Sequence, residues 1–202
     1  ALVSEGGFTV DTLPEGATLG TCSLRRAAQM LRLRPDLNIV PIRGNVQTRL
    51  KRMKEQNMHA TMLAYAGLKR LEMHALASQV LEPEVCLPAI GQGILAVQTR
   101  IDDEATNTRV DRLADRYARI AACAERAFLA RLEGGCQVPI AGHLIEDGAQ
   151  VYLRGLVSSL DGKQVFEGDW RGAAADAEAQ GVALAEQLLD AGAAPILAAL
   201  SH

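Results

Sequence analysis

Two kinds of periodicity divide this chain, and their order limits the folds open to it. From Gly20 to Leu71 short apolar runs alternate with segments of helical spacing. Thr21, Cys22 and Ser23 form a turn with good N-cap candidates. Leu24, Ala27, Ala28 and Leu31 then recur at helical spacing until Pro35 stops the pattern. Asn38–Ile42 reads as a short buried strand, and Arg43-Gly44-Asn45 as a turn with Asn45 as a cap. Val46–Gln56 reads as a second helix with Val46, Leu50 and Met53 on one face. Ala60–Ala64 is a further strand and Ala66–Leu71 a further helix. This rhythm predicts a parallel sheet covered by helices, hence an α/β unit.

The second pattern has a period of two. Val138–Ile145, Val151–Ser158 and Gln164–Trp170 read as strands. Glu146-Asp147-Gly148 and Leu160-Asp161-Gly162 join them as hairpin turns. An Ala-rich helix over Ala173–Asp190, stopped at Gly192, and a short helix over Pro195–Leu200 complete a small α+β domain. Between the two patterns lies a loop with Pro88, Gly91 and Gly93, then a strand over Ile94–Gln98. Asp102-Asp103-Glu104 starts a helical pattern that runs to Leu132, with a break near Asp115, and Gly134-Gly135 ends it. The domain boundary is expected near residues 112–118.

Charge is distributed unevenly. The net charge is −3, yet Ser23–Arg70 holds eleven basic residues and two acidic ones. A local excess of one sign implies an anionic partner, or else a solvated basic face. Aromatics make up 3% of the chain, so base-stacking platforms are scarce and nucleic-acid binding is disfavoured. Apolar runs fall short of the roughly 18 residues that span a bilayer. Cys22, Cys86, Cys123 and Cys136 form no CxxC pair and read as reduced thiols of a cytoplasm-like compartment. His59, His74, His143 and His202 show no metal-ligand spacing, so no metal site is expected.

Two places carry chemistry. Arg25 and Arg26 fall in the first turn of a helix, where free N–H groups already attract anions. Arg43 and Arg49 flank the next helix start, and Lys69-Arg70 follow the next strand. Three basic clusters at three strand-to-helix connections would converge on the carboxyl rim of the sheet, where open α/β sheets bind ligands. Arginine suits carboxylates because its fork makes paired hydrogen bonds. The second place is Leu132-Glu133-Gly134-Gly135-Cys136-Gln137-Val138-Pro139, where two glycines present a cysteine. That thiol is either a nucleophile for covalent attachment or a small buried apolar residue.

These strings resemble one family. Gly20-Thr21-Cys22-Ser23-Leu24-Arg25-Arg26, Arg43 to Leu50, Ala66 to Leu71, Leu87 to Gly93 and Leu132 to Pro139 resemble porphobilinogen deaminase in order and spacing. The resemblance implies a transferase of tetrapyrrole (heme) biosynthesis. Such an enzyme joins four porphobilinogen molecules into hydroxymethylbilane with release of ammonia. It implies a dipyrromethane cofactor attached through Cys136, and Ser23, Arg25, Arg26, Arg43 and Gly44 as cofactor-binding residues. Thr21, Arg49, Arg70 and Gln92 are the implied substrate-binding residues. It also implies a cytoplasmic, monomeric protein that binds porphobilinogen and its oligomers, and neither nucleic acid nor membrane. Cys22 stands where the family commonly has serine.

The implied fold is a periplasmic-binding-protein-like half domain over residues 1–92, a return segment over 93–115, and a cofactor-anchoring α+β domain over 116–202. On this reading a first domain is missing, and with it the family's catalytic aspartate, so this chain is not expected to turn over alone. The alternative is a non-catalytic anion-binding module that keeps the arginine rim. The return segment, without its sheet, is expected to expose Ile94, Leu95 and Val97, giving marginal stability or self-association.

Overall fold

The computed structural model describes residues 1–133 and 138–200. Its first sheet is built from β1 (Leu2–Val3), β2 (Thr18–Gly20), β3 (Asn38–Val40), β4 (Ala60–Met62) and β5 (Ala77–Gln79), in the order β3-β2-β4-β1-β5. Strands β3, β2 and β4 run parallel, with Leu19 opposite Ile39 and Ala60. The sheet is mixed rather than parallel throughout, because β1 inserts antiparallel between β4 and β5. The two-residue β1 and the β5 segment carry too little pattern to be read in advance.

Helices α1 (Leu24–Leu33), α2 (Val46–Glu55) and α3 (Tyr65–Arg70) follow the three parallel strands. Ser23 Oγ caps α1 by accepting from Arg26 N at 3.3 Å, and Asn45 Oδ1 caps α2 by accepting from Thr48 N at 2.8 Å. The sheet is buried on both faces. Leu2, Leu19 and Met62 pack with Met30 of α1, whereas Val3 and Ile42 pack with Leu50, Met53 and Leu68 of α2 and α3. Successive strand crossovers therefore lie on opposite faces, which opens a crevice between the carboxyl ends of β2 and β4.

The expected strand over Ile94–Gln98 is absent: the segment is irregular and pairs with nothing. An isolated strand has no partner for its N–H and C=O groups, so its β propensity goes unrealised. Leu95 and Val97 are exposed, at 87% and 62%, while Ile94 is half-buried and packs on the C-terminal core. Helices α4 (Glu104–Asp111) and α5 (Arg116–Arg131) follow, the break between them capped by Asp115, which accepts from Ala118 N at 2.7 Å.

Strands β6 (Ile140–Asp147), β7 (Gln150–Ser158) and β8 (Val165–Gly172) form the expected antiparallel sheet in that order. One face packs on α5 and α6 (Ala177–Leu188) through Phe128, Leu144, Leu153, Leu184 and Leu188, with Trp170 at the edge of this core. The other face meets the first unit, where Leu87 packs on Ala141 and Leu156. The Ala-rich helix starts later than expected, after a 3₁₀ turn over Ala174–Asp176. Gly192, at φ 119°, breaks it, and α7 (Ala194–Leu200) then continues the path. The stretch over 174–200 is long and apolar enough to cross a membrane by length and composition alone, contrary to the short apolar runs read above. Its apolar face is accounted for by Leu184, Leu188, Ile196 and Leu197, which are buried in the C-terminal core.

Candidate functional site

The crevice between β2 and β4 is where the chain gathers its buried positive charge. Thr21, Cys22 and Ser23 lead from β2 directly into α1, so Arg25 and Arg26 stand at the sheet's carboxyl rim. A cavity of about 150 Å³ lies there, lined by Arg25, Arg26, Met62, Leu63, Ala64, Tyr65, Cys86 and Gln92 among others. Its lining holds no aspartate or glutamate. That is smaller than the ~300–1,000 Å³ of a drug-sized pocket, and fits one acidic side arm or one small ring.

Arg25 is 8% exposed. Its guanidinium donates to Leu87 O, to Gln92 Oε1 at 3.3 Å and to Cys86 Sγ at 3.8 Å. Arg26 Nη1 spans the crevice to Met62 O at 3.1 Å. Burial pulls the Arg25 guanidinium below its ordinary value. Burial, then repulsion from Arg25 and Arg49, does the same at Arg26. Both cations are held by neutral carbonyl and amide dipoles, and an anion in the crevice would relieve the strain on both.

A larger cavity of about 320 Å³ lies between α1 and the second sheet, but its cations are already neutralised. Arg32 pairs with Glu167 at 2.7 Å, and Arg154 with Glu84 at 3.3 Å. Among the described residues the same division runs through the basic stretch. Arg32, Arg34, Lys51 and Lys54 have carboxylate partners within 4 Å, whereas Arg25, Arg26, Arg43, Arg49 and Arg70 have none. Arg52 and Lys69 also lack one, Arg52 donating to Arg43 O and Lys69 lying over the Tyr65 ring.

The expected residues are brought together only in part. Arg25, Arg26 and Gln92 line one crevice, and Arg49 acts on it electrostatically. Thr21 Oγ1 accepts from Ser23 N at 3.1 Å and Ser23 Oγ caps α1, so both oxygens serve locally and keep a hydroxyl hydrogen to donate. Arg43 and Gly44 are exposed at the end of the β3 connection, outside the cavity lining. Gly44, at φ 121°, turns its carbonyl to accept from Arg49 Nε at 2.8 Å. Arg70 corrects the expectation most. It lies in the last turn of α3, favoured by the helix dipole, rather than at the strand-to-helix connection. Cys136, with Gly134 and Gly135, lies outside the described residues.

Sequence reasoning missed two residues. Gln29, one turn after Arg25, is buried and grips Leu87 from both sides, Nε2 donating to Leu87 O at 3.1 Å and Oε1 accepting from Leu87 N at 2.7 Å. Glu125 is buried in α5 and accepts from Gly91 N at 2.6 Å. A polar residue on an apolar helical face was the available signal for both. Cys22, Cys86 and Cys123 are free thiols. His59 Nδ1 accepts from Thr18 N at 3.0 Å, a satisfied structural role.

Fold and site together define an α/β unit with an arginine-lined crevice, joined to a small α+β unit. Residues 1–108 match the family model described as porphobilinogen deaminase, dipyromethane cofactor binding domain, and residues 119–190 match the model of the porphobilinogen deaminase C-terminal domain. The chain belongs to the porphobilinogen deaminase family. It is 48% identical over 198 residues to the porphobilinogen deaminase of Roseiflexus sp. (strain RS-1), covering 98% of this chain and 65% of that protein. To that of Pelotomaculum thermopropionicum it is 46% identical over 196 residues, covering 97% of this chain and 63% of the relative. The chain thus spans just under two thirds of the length of these relatives.

Proposed function

We propose that this chain is the part of a porphobilinogen deaminase that binds the acidic arms of the growing pyrrole chain. The observation that carries the reading is the pair of buried Arg25 and half-buried Arg26, side by side in a crevice whose lining has no carboxylate. A dipyrromethane fits this donor set, because its acetate and propionate arms need several guanidinium groups on one rim. Arg25 and Arg26 would hold those arms, with Ser23, Arg43 and Gly44 beside them. Thr21, Arg49, Arg70 and Gln92 would bind the incoming porphobilinogen. When bound through Cys136, the group supplies the primer to which porphobilinogen units are added with loss of ammonia, towards hydroxymethylbilane. No acidic residue of this chain is assigned the catalytic role.

In this reading residues 1–92 form a periplasmic-binding-protein-like half domain, 93–115 a return segment, and 116–202 the cofactor-anchoring domain. The chain works in the cytoplasm, on porphobilinogen and its oligomers rather than on nucleic acid or membrane. The test combines intact mass and binding. The parent is expected to exceed its sequence mass by one dipyrromethane, and Cys136→Ser to match its sequence mass. Porphobilinogen is expected to bind the parent and to be lost from Arg25→Ala. A parent of unmodified mass that also fails to bind porphobilinogen would overturn the proposal.

A further inference from the structure

Arg25 and Glu125 are the two charged residues in the buried set of the described chain, at 8% and 2% exposure, and they do not pair with each other. They grip neighbouring residues of one loop instead. Glu125 Oε2 accepts from Gly91 N at 2.6 Å, and Gln92 Oε1 accepts from Arg25 Nη2 at 3.3 Å and from Ala89 N at 3.1 Å. The second Glu125 oxygen accepts from Leu144 N of β6 at 2.9 Å, with His143 Nδ1 at 3.5 Å. Gly91 and Gly93 take φ values of 68° and 92°, and a Cβ built at either meets nothing within 4 Å. Ile90 anchors the loop on the C-terminal core, but nothing packs at the two glycine positions beside Gln92, where hydrogen bonds hold the backbone. A carboxylate buried to this degree is retained only where such donors compensate its lost hydration.

We infer that Glu125 is a positioning residue for the anion crevice: by holding Gly91 it sets Gln92, and Gln92 sets the Arg25 guanidinium. The inference rests on the function proposed above. It ties the crevice to α5, the helix that leads towards Cys136, so the two units hold the ligand site jointly.

The experiment measures porphobilinogen binding to the 202-residue chain by calorimetry, well below its melting temperature, with circular dichroism confirming the fold. The near-isosteric Glu125→Gln keeps an acceptor for only one of the two amides. It is expected to weaken binding about tenfold, the equivalent of one charge-assisted hydrogen bond. Gln92→Ala is expected to do the same, and the double variant to be no weaker than the worse single one, because both act through one link. Glu125→Asp, one methylene short of Gly91, is read in place of Glu125→Gln if that variant fails to fold, with the same expectation. Binding within twofold of the parent in the folded Glu125 variant, or additive losses in the double, overturns the inference while Arg25→Ala still abolishes binding. A parent that does not bind, or an Arg25→Ala variant that binds as the parent does, overturns the proposed function and the inference with it.

Discussion

Replacing Arg25 by methionine should separate stability from binding. The side chains are of similar length, so Met fills the same channel. The replacement removes hydrogen bonds from a charged donor, each worth about 1.5–3 kcal/mol. Neither of the two oxygens it abandons is stranded. Leu87 O keeps Gln29 Nε2 at 3.1 Å, and Gln92 Oε1 keeps Ala89 N at 3.1 Å. Against that loss, the variant avoids burying a cation that has no carboxylate partner, a penalty of several kcal/mol per ion. It also gains about 1.5–3 kcal/mol from burying an apolar side chain. The terms nearly cancel, and the balance falls between neutral and about 2 kcal/mol of added stability. For a chain of this size that is a melting temperature raised by up to about 4–8 °C. Thermal and urea unfolding give the stability, and calorimetry with porphobilinogen gives the binding, which should be lost. A melting temperature lowered by more than about 4 °C would refute the reasoning, because it would make Arg25 a structural residue.

Further predictions concern the scaffold. Gly181→Ala should destabilise the C-terminal unit: helix propensity favours Ala by about 1 kcal/mol, but the new Cβ would lie 2.3 Å from Ala124 O, and overpacking of this kind costs about 1–3 kcal/mol or more. A rise in the urea midpoint would contradict this. Asn45→Ala should lower stability by about 1 kcal/mol through loss of the α2 cap, read from the same midpoint. The hydrogen bonds from Arg32 hold Glu167 below its ordinary 4.5. The contribution of this contact to stability is therefore complete above pH 4.5 and is lost as pH falls through the lowered value. Unfolding midpoints measured from pH 6 to pH 3 should show that acid limb, and Arg32→Ala should flatten it.

Local signals in the sequence carried most of the helices and all of the second sheet. Ser23, Pro35, Asn45 and Asp115 mark helix ends because caps and breakers act over one turn. The hairpin after Asp147 was legible because Gly148 takes φ 64°. What stayed hidden was long-range. Strand β1 pairs with β4 about sixty residues away, and two residues have no period to detect. The strand expected at 94–98 shows the converse, since its apolar spacing is right but no neighbouring strand receives it. Of the expected arginine rim, Arg25 and Arg26 line the crevice, whereas Arg43 and Arg70 lie outside its lining. Position in sequence places Arg70 after a strand, but helix α3 carries it a turn and a half away from the rim.

The division within the basic stretch shows why composition alone could not separate scaffold from site. Arg32 is neutralised by Glu167, 135 residues further on, and Lys54 by Glu5. Those cations answer to carboxylates that only folding brings near. Arg25 and Arg26 find carbonyls instead, in the first turn of a helix whose dipole disfavours them. A fold selected for stability alone would place a carboxylate beside them or an apolar residue in their stead. Keeping one such charge buried and its neighbour half-buried, with no carboxylate beside either, is rational if the missing counter-ion arrives with the ligand. Low-dielectric walls then act in the ligand's favour, because the attraction they transmit is screened less by salt than that of an exposed arginine. Binding through Arg25 should therefore fall less with ionic strength than the contribution of exposed Arg43.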